Sequence, residues 1–472
     1  MTQTLWTAHD AAAATSAQHT GDWSASGVSI DTRSLVAGDL FVALHGPNFD
    51  GHEFVGEALA KGAVAALVDD DVDAEAAPLL RVDDTMTALQ ALGRASRARS
   101  RASIIAVTGS VGKTGSKEAL KAALAPQGET YASVGSLNNH WGVPLSLSRM
   151  PQSATFGIFE IGMNHPGEIN PLSRLVRPHV ALITTVEAVH SAFFDSDEAI
   201  ADAKAEIFAG LEKGGAAVLN RDNRHFLRLS AAARAKGIDR IISFGTWDEA
   251  DFRLLDAAPD KGGTIIRADL GGAQVTYRLA IAGQHWVLNS LGVLAALAAA
   301  GGNVGEAAEA LSDLEAPTGR GRFHLIKMGG GEVTLIDESY NASPVSMKAA
   351  IEVLGETQPA SGGRRIAVLG DMLELGNNSA SLHAALADVL AGEGIDLVFT
   401  AGPDMGHLSD ALAPAIRGGH TGSTELLLPM LVEALRPGDV VVVKGSAGSK
   451  TGIIVEALLG LDENSKRAVN GD

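Results

Sequence analysis

Ser103-Ile-Ile-Ala-Val-Thr-Gly-Ser-Val-Gly-Lys-Thr114 is the stretch that decides the fold. Residues 104–107 are an unbroken apolar run, the pattern of a strand buried on both faces of a parallel sheet. Thr108-Gly-Ser-Val-Gly112 supplies a tight turn, and composition predicts a helix over 113–124. Strand, glycine turn and helix N-terminus together make an anion site. Unpaired N–H groups and the positive helix end converge where a phosphate can sit. Thr108, Gly109, Ser110, Val111 and Gly112 form the cradle. Lys113 offers a point charge to β- and γ-phosphates, and Thr114 a hydroxyl to Mg²⁺. The first glycine of the longer phosphate-loop pattern is missing, leaving G-x-x-G-K-T. An ordinary strand–helix corner is the plainer reading, but it gives no reason for Lys-Thr directly after the second glycine. A nucleoside triphosphate site is therefore expected.

Outward from this stretch, 472 residues are too many for one core, and about three domains are expected. Their boundaries are placed at 1–83, 84–317 and 318–472. Lys and Arg number 37 against 56 Asp and Glu, a net charge of −19, which repels nucleic acid and anionic membrane. Neither is an expected partner, so an anionic substrate must be held by local cations and backbone N–H groups. The absence of cysteine excludes disulfides, thiolate metal sites and a cysteine nucleophile. Aromatic residues make up 4%, with Ala and Gly filling the space, so helices should lie close on their sheets. Met1-Thr-Gln-Thr-Leu-Trp6 has no basic segment of a signal peptide. The longest apolar run, 291–300, falls short of the ~18 residues that cross a bilayer. A cytoplasmic monomer is expected.

In the first unit, strands are expected over 39–44 and 63–68 with a helix over 54–61. The loop His45-Gly-Pro-Asn-Phe-Asp-Gly-His52 lies between them. Thr32, Arg33, His45 and His52 crowd the ends of short elements, so this is either a ligand loop or merely an irregular one. A helix over 84–100 leads into the phosphate-loop strand. Apolar runs at 156–161, 180–185, 216–219 and 240–244 alternate with helical stretches, which argues for a mainly parallel sheet. Residues 264–277, broken at Gly271-Gly272, suggest an appended hairpin. A helix follows over 286–300. Pro317-Thr-Gly-Arg-Gly-Arg322 is the expected inter-domain hinge. Beyond it, strands at 333–336, 365–369, 397–400 and 440–443 predict a Rossmann-like domain whose ligand edge holds Gly370-Asp371 and Gly445-Ser446. The tail 462–472 is polar and expected to be disordered. The fold class is thus three-domain α/β: a small N-terminal substrate domain, a central P-loop ATPase domain and a Rossmann-like C-terminal domain.

Glu160 ends an apolar strand in Phe-Glu-Ile-Gly-Met163, where a carboxylate at the mouth of a phosphate-loop sheet is well placed for Mg²⁺. A capping or salt-bridged Glu is the alternative. His190 follows another such strand, and sharing that edge with Glu160 and Thr114 strengthens a metal-ligand reading over a structural histidine. Lys204 reads as a solvated lysine on a helix over 196–208. Asn289 could be polar surface on the helix after Gly283-Gln-His-Trp286.

Together these stretches resemble the Mur ligase family of peptidoglycan synthesis across nearly the whole chain. Its ATP loop is similar to Thr108–Thr114, its Gly-x-His-x-x-x-Asn motif to Gly283-Gln-His-Trp-Val-Leu-Asn289, its lysine motif to Ala203-Lys-Ala-Glu-Ile207, and its metal histidine to His190. Within the family, the likeness is strongest to the branch adding D-alanyl-D-alanine to UDP-N-acetylmuramoyl-tripeptide. Four stretches carry it: Ser136-Leu-Asn-Asn-His-Trp-Gly-Val-Pro144, Asp337-Glu-Ser-Tyr-Asn-Ala-Ser-Pro344, Leu369-Gly-Asp-Met-Leu-Glu-Leu-Gly376 and Val443-Lys-Gly-Ser446. The Asp-Asn-Pro-Arg motif of the diaminopimelate-adding branch is missing. Four positions depart from the pattern: Gly115 stands where the family has Thr or Ser, Glu338 where it has Asp, Ser343 where it has Asn, and His140 where it has Glu.

The resemblance implies an ATP-dependent amide ligase. ATP would phosphorylate the tripeptide carboxylate, and the amine of D-alanyl-D-alanine would attack the acyl phosphate. Such chemistry depends on positioning and charge neutralisation. By the same resemblance, Lys113, Thr114 and Glu160 would serve phosphate and Mg²⁺. His190 and a CO₂-carbamylated Lys204 would hold a second Mg²⁺. Asn289, Arg320, Asp337 and Tyr340 would gather the nucleotide, with closure about Pro317 completing the site. Asp31, Thr32, Arg33, Ser34, His45 and Gly46 would hold the UDP part, and Asn138 and Asn139 would face the peptide. The rival expectations are a sister ligase adding diaminopimelate or lysine, a folylpolyglutamate synthetase, or a P-loop switch without synthetic activity.

Overall fold

The computed structural model describes residues 3–69, 72, 78–188, 193–194, 196–260 and 263–462. Three sheets carry the architecture, with a further two-stranded ribbon near the N-terminus. In the first sheet, Gly27–Ser29, Asp39–Val42, Ala65–Val68 and Leu79–Arg81 run parallel, and Gln18–His19 closes the edge antiparallel. The strands are shorter than their apolar runs suggested, because residues 43–44 and 63–64 already turn into loops. The helix Thr85–Arg99 starts where the Asp84 carboxylate accepts the Thr87 N–H at 2.6 Å.

The central sheet has nine strands. In spatial order they are Gln274–Leu279, Gly263–Leu270, Phe252–Asp260, Arg240–Gly245, Ala216–Asn220, Val180–Ile183, Ser103–Thr108, Phe156–Glu160 and Thr130–Ala132. The last seven are parallel to one another, and the first two add the expected hairpin, antiparallel within itself and against Phe252–Asp260. Helices Lys113–Leu124 and Gln284–Ala299 pack on one face. Ile169–Val176 and Asp197–Ala205 pack on the other. Covering both faces is what allows Ile104, Ile105, Ala106 and Val107 to be buried together.

The third sheet orders Arg322–Met328, Gly331–Glu338, Val440–Lys444, Arg365–Gly370, Leu397–Ala401 and Arg417–Thr421, with only the first antiparallel to its neighbour. The turn before it is held by Arg320 N–H donating to Pro317 O at 3.0 Å and Gly321 N–H to Asp337 O at 2.8 Å. Of the polar tail 462–472, all but Asp462 lies outside the described residues. No helix among the described residues is long and apolar enough to cross a membrane.

Candidate active site

From the end of Ser103–Thr108 the chain runs to strands on one side of it and then crosses to Val180–Ile183 on the other. Such a reversal opens a crevice at the C-terminal edge of a parallel sheet. The loop 109–112 lies in it. Gly112 has a φ of +83°, and a methyl group there would stand 2.6 Å from Asn289 Nδ2. Glycine is thus required both by backbone conformation and by contact. The loop is tied to the next strand by Thr184 Oγ1 donating to Val111 O at 2.6 Å, and by Ser110 Oγ donating to Glu187 O at 3.0 Å. Thr108 is buried at its base.

Lys113 opens the helix, and its Nζ folds back to donate to Gly109 O at 2.8 Å. Burial pulls its pKa down, with Glu160 opposing. Thr114 is buried, and its hydroxyl donates to Glu160 Oε2 at 2.7 Å. Asn138 Nδ2 donates to the other oxygen, Oε1, at 2.6 Å. Both oxygens of this buried carboxylate are therefore oriented. Lys204 is 2% exposed, which removes the reading of a solvated lysine. Burial and the charge of Lys113 drive its pKa well below the ordinary value, favouring the neutral amine. Lys204 itself does not line the crevice. His190 lies outside the described residues.

The crevice is a cavity of about 870 Å³ between the central and C-terminal sheets. Lys113, Thr114, Asn138, Glu160, Asn289, Arg320 and Tyr340 all border it. The Arg320 guanidinium lies over the Tyr340 ring, 4.1 Å from its centroid, and the Tyr340 hydroxyl bonds that of Ser136. That pair joins the two domains across the mouth. Asp337 is turned elsewhere: its carboxylate accepts Gly319 N–H at 2.9 Å and Ser339 Oγ–H at 2.6 Å, bracing the turn that carries Arg320. Glu338 borders the cavity instead, paired with Lys444 at 3.1 Å. Asn139 Oδ1 accepts the N–H groups of Trp141 and Gly142, starting the helix Gly142–Ser148. His140 is exposed with its ring edge-on to Trp141.

Asp31, Thr32, Arg33, Ser34, His45 and Gly46 are on the first domain and border no part of this cavity. Asp31 and Arg33 form an ion pair at 2.6 Å that holds the Asp31 carboxyl below its usual pKa. Thr32 is buried, and its carbonyl accepts Lys61 Nζ at 3.0 Å.

Sequence reasoning passed over several neighbours. Trp286 packs on Gly115, where a methyl group would meet its ring at 2.6 Å. The Gly115 departure therefore has a steric cause: Thr or Ser would strike the indole. Lys117 is fully buried and donates to Ser133 O and Gly135 O, both at 2.7 Å. Asn220, Asp222 and Asn223 border the cavity past the end of Ala216–Asn220. Their position after an apolar run at a parallel-sheet edge was the signal available for them.

A lysine-bearing glycine loop, a carboxylate fixed across it on the neighbouring strand, and a second α/β domain across the cleft define the class of nucleotide-using P-loop enzymes. The Mur ligase middle-domain model matches residues 107–298, the Mur ligase glutamate ligase-domain model 321–447, and the Mur ligase family catalytic-domain model 24–122. The UDP-N-acetylmuramoyl-tripeptide–D-alanyl-D-alanine ligase of Bacillus subtilis is 36% identical over 92% of this chain and 93% of the relative. The Escherichia coli ligase of the same name is 34% identical over 91% and 93%. A crystal structure of MurF from Acinetobacter baumannii superposes with a TM-score of 0.84 at 29% identity, covering 96% of this chain and 99% of that one. MurF from Thermotoga maritima in complex with ADP gives 0.76 at 25% identity, covering 92% and 97%. The chain belongs to the Mur ligase family.

Proposed function

We propose that this chain joins D-alanyl-D-alanine to UDP-N-acetylmuramoyl-tripeptide, with ATP activating the tripeptide carboxylate as an acyl phosphate. The product is the UDP-linked pentapeptide of peptidoglycan synthesis. The carrying observation is the 2.7 Å contact of Thr114 with Glu160 beside Lys113, at the floor of a cavity bordered by two domains. Near full-length relatives carrying that activity in their names support the choice of substrates.

Mg²⁺ fits the residues present. Thr114 Oγ1 and Glu160 Oε2 are hard oxygen donors already in contact, and Asn138 keeps the carboxylate turned toward Thr114. Bound there, Mg²⁺ would neutralise charge on the transferring phosphoryl group. In this reading the Lys113 ammonium leaves Gly109 O for the β- and γ-phosphates, and the loop N–H groups take the remaining oxygens. Asn289, Arg320 and Tyr340 embrace the nucleotide, and Asp337 acts through the turn it braces. Excluding water protects the acyl phosphate until the amine attacks. Carbamylation would make Lys204 an anion suited to a second Mg²⁺. His190 is assigned to that ion by resemblance alone. We place the UDP moiety on residues 31–34 and 45–46, and the peptide near Asn138 and Asn139. We divide the chain at residues 83 and 317, and expect a cytoplasmic monomer.

The test is phosphate release from ATP with UDP-N-acetylmuramoyl-tripeptide, with and without D-alanyl-D-alanine. Sustained release should require both substrates. Release at an equal rate without the dipeptide, or with tripeptide replaced by folate, would overturn the assignment.

A further inference from the structure

The loop from His45 to His52 folds back on itself through a bridge between His45 and Asp50, with Gly51 N–H donating to Leu44 O at 2.9 Å. This brings His45 and His52 to the C-terminal ends of Asp39–Val42 and Ala65–Val68, where Asp69 follows the second strand. His45 Nε2 and His52 Nε2 each lie 3.0 Å from Asp69 Oδ1, and the three atoms fall within 4.8 Å of one another. We propose that His45, His52 and Asp69 form a binding site for one divalent transition-metal ion, Zn²⁺ by ligand chemistry, separate from the phosphate-loop cleft.

Three observations show that the cluster is organised for ligation. First, the rings are held at their far ends: Asp50 Oδ1 lies 2.7 Å from His52 Nδ1 and 3.3 Å from His45 Nδ1. A carboxylate on the other ring nitrogen is the usual support of a metal-bound histidine. Second, Asp69 presents both its backbone N–H, at 3.2 Å, and its Oδ1, at 3.0 Å, to His52 Nε2, so that nitrogen already faces the proposed ion position. Third, Thr85 N–H donates to Asp69 Oδ2 at 3.1 Å, which leaves Oδ1 facing the histidines.

Two imidazoles and one carboxylate suit Zn²⁺, Co²⁺ or Ni²⁺ better than Mg²⁺. Three protein ligands leave one position for water or a substrate oxygen. His52 and Asp69 side chains are nearly buried, whereas that of His45 is 48% exposed, so an ion can enter from the His45 side. The His45, His52 and Asp69 cluster is independent of the ligase reading.

Co²⁺ is the probe. The full chain is stripped with chelator, then titrated with Co²⁺ in saturating Mg²⁺ without nucleotide, and the visible d–d absorption is followed. We expect one saturating site per chain with the intense spectrum of four- or five-coordinate Co²⁺, displaced by Zn²⁺. Asp50→Asn should weaken binding by about 10- to 100-fold, the range for lost second ligand-shell support. His45→Gln, at a half-exposed position, should abolish the band while Tm is retained. If His45→Gln fails to fold, Asp50→Asn decides alone. A wild-type chain without the band overturns the proposal, as does a folded His45→Gln that titrates like wild type.

Discussion

Lys204 sits in an environment far from what its type suggests. An ammonium that is 2% exposed, beside a second lysine, is held toward its neutral form. Neutral amines react with CO₂, whereas ammonium ions do not. On the proposed chemistry, Lys204→Ala should lose activity and regain part of it with added short-chain carboxylates. Lys204→Arg should be as inactive as alanine, because arginine keeps the charge and forms no carbamate. An active arginine variant would remove the carbamate from the mechanism. Gly115 presents the opposite case, a residue defined by what it lacks. Burying the Trp286 ring contributes about 1.5–3 kcal/mol, and that ring rests on the bare Gly115 backbone. Gly115→Thr should cost about 1–3 kcal/mol by overpacking. Adding Trp286→Leu should restore part of the loss in chemical denaturation, and a double variant no better than the single would refute the steric account.

At the scale of elements, Lys117 joins the helix Lys113–Leu124 to the segment 133–138 that delivers Ser136 and Asn138. Lys117→Met keeps the volume but strands the buried Ser133 carbonyl and frees the half-exposed Gly135 one, at about 1–3 kcal/mol. Tm should fall, and limited proteolysis should cut faster between residues 134 and 140. Unchanged cleavage there would show that the segment stands without Lys117. A lysine on an amphipathic helix reads as solvated, so this role was illegible in the sequence. Parallel strands were legible where burial on two faces leaves continuous apolar runs, such as 104–107 and 440–443. Phe252–Asp260, Arg322–Met328 and Arg417–Thr421 were not. The first mixes buried and exposed positions, the second is an edge strand exposed at alternate residues, and the third reads Arg-Gly-Gly-His-Thr with no apolar residue. Its glycines instead let the Phe399 ring lie against the backbone, where a methyl group on Gly418 would meet it at 2.8 Å. In the site, residue types at strand ends marked Glu160 and Lys113. The direction of the Asp337 carboxylate depended on a turn 18 residues away and could not be read.

For the whole molecule, the distribution of groups predicts a division of labour. Arg320 borders the central cavity from the C-terminal side, whereas residues 31–46 border none of it. Arg320→Ala should raise the KM for ATP and lower kcat, while equilibrium binding of UDP-N-acetylmuramoyl-tripeptide stays close to wild type. A large loss of that binding would mean that the substrate domains are misassigned. With a net charge of −19, anionic substrates approach against the overall field, so these local cations must act at short range. The seating of Trp286 has an optical consequence. Its ring covers Gly115 next to the phosphate loop, and its indole nitrogen lies 3.7 Å from where a methyl on Gly321 would stand. The other four tryptophans, Trp6, Trp23, Trp141 and Trp247, lie outside this contact. With those four replaced by phenylalanine, the chain would carry a single tryptophan wedged between loop and hinge, excited selectively above the tyrosine band. Its emission would follow nucleotide arrival and domain approach in real time, with no dye attached.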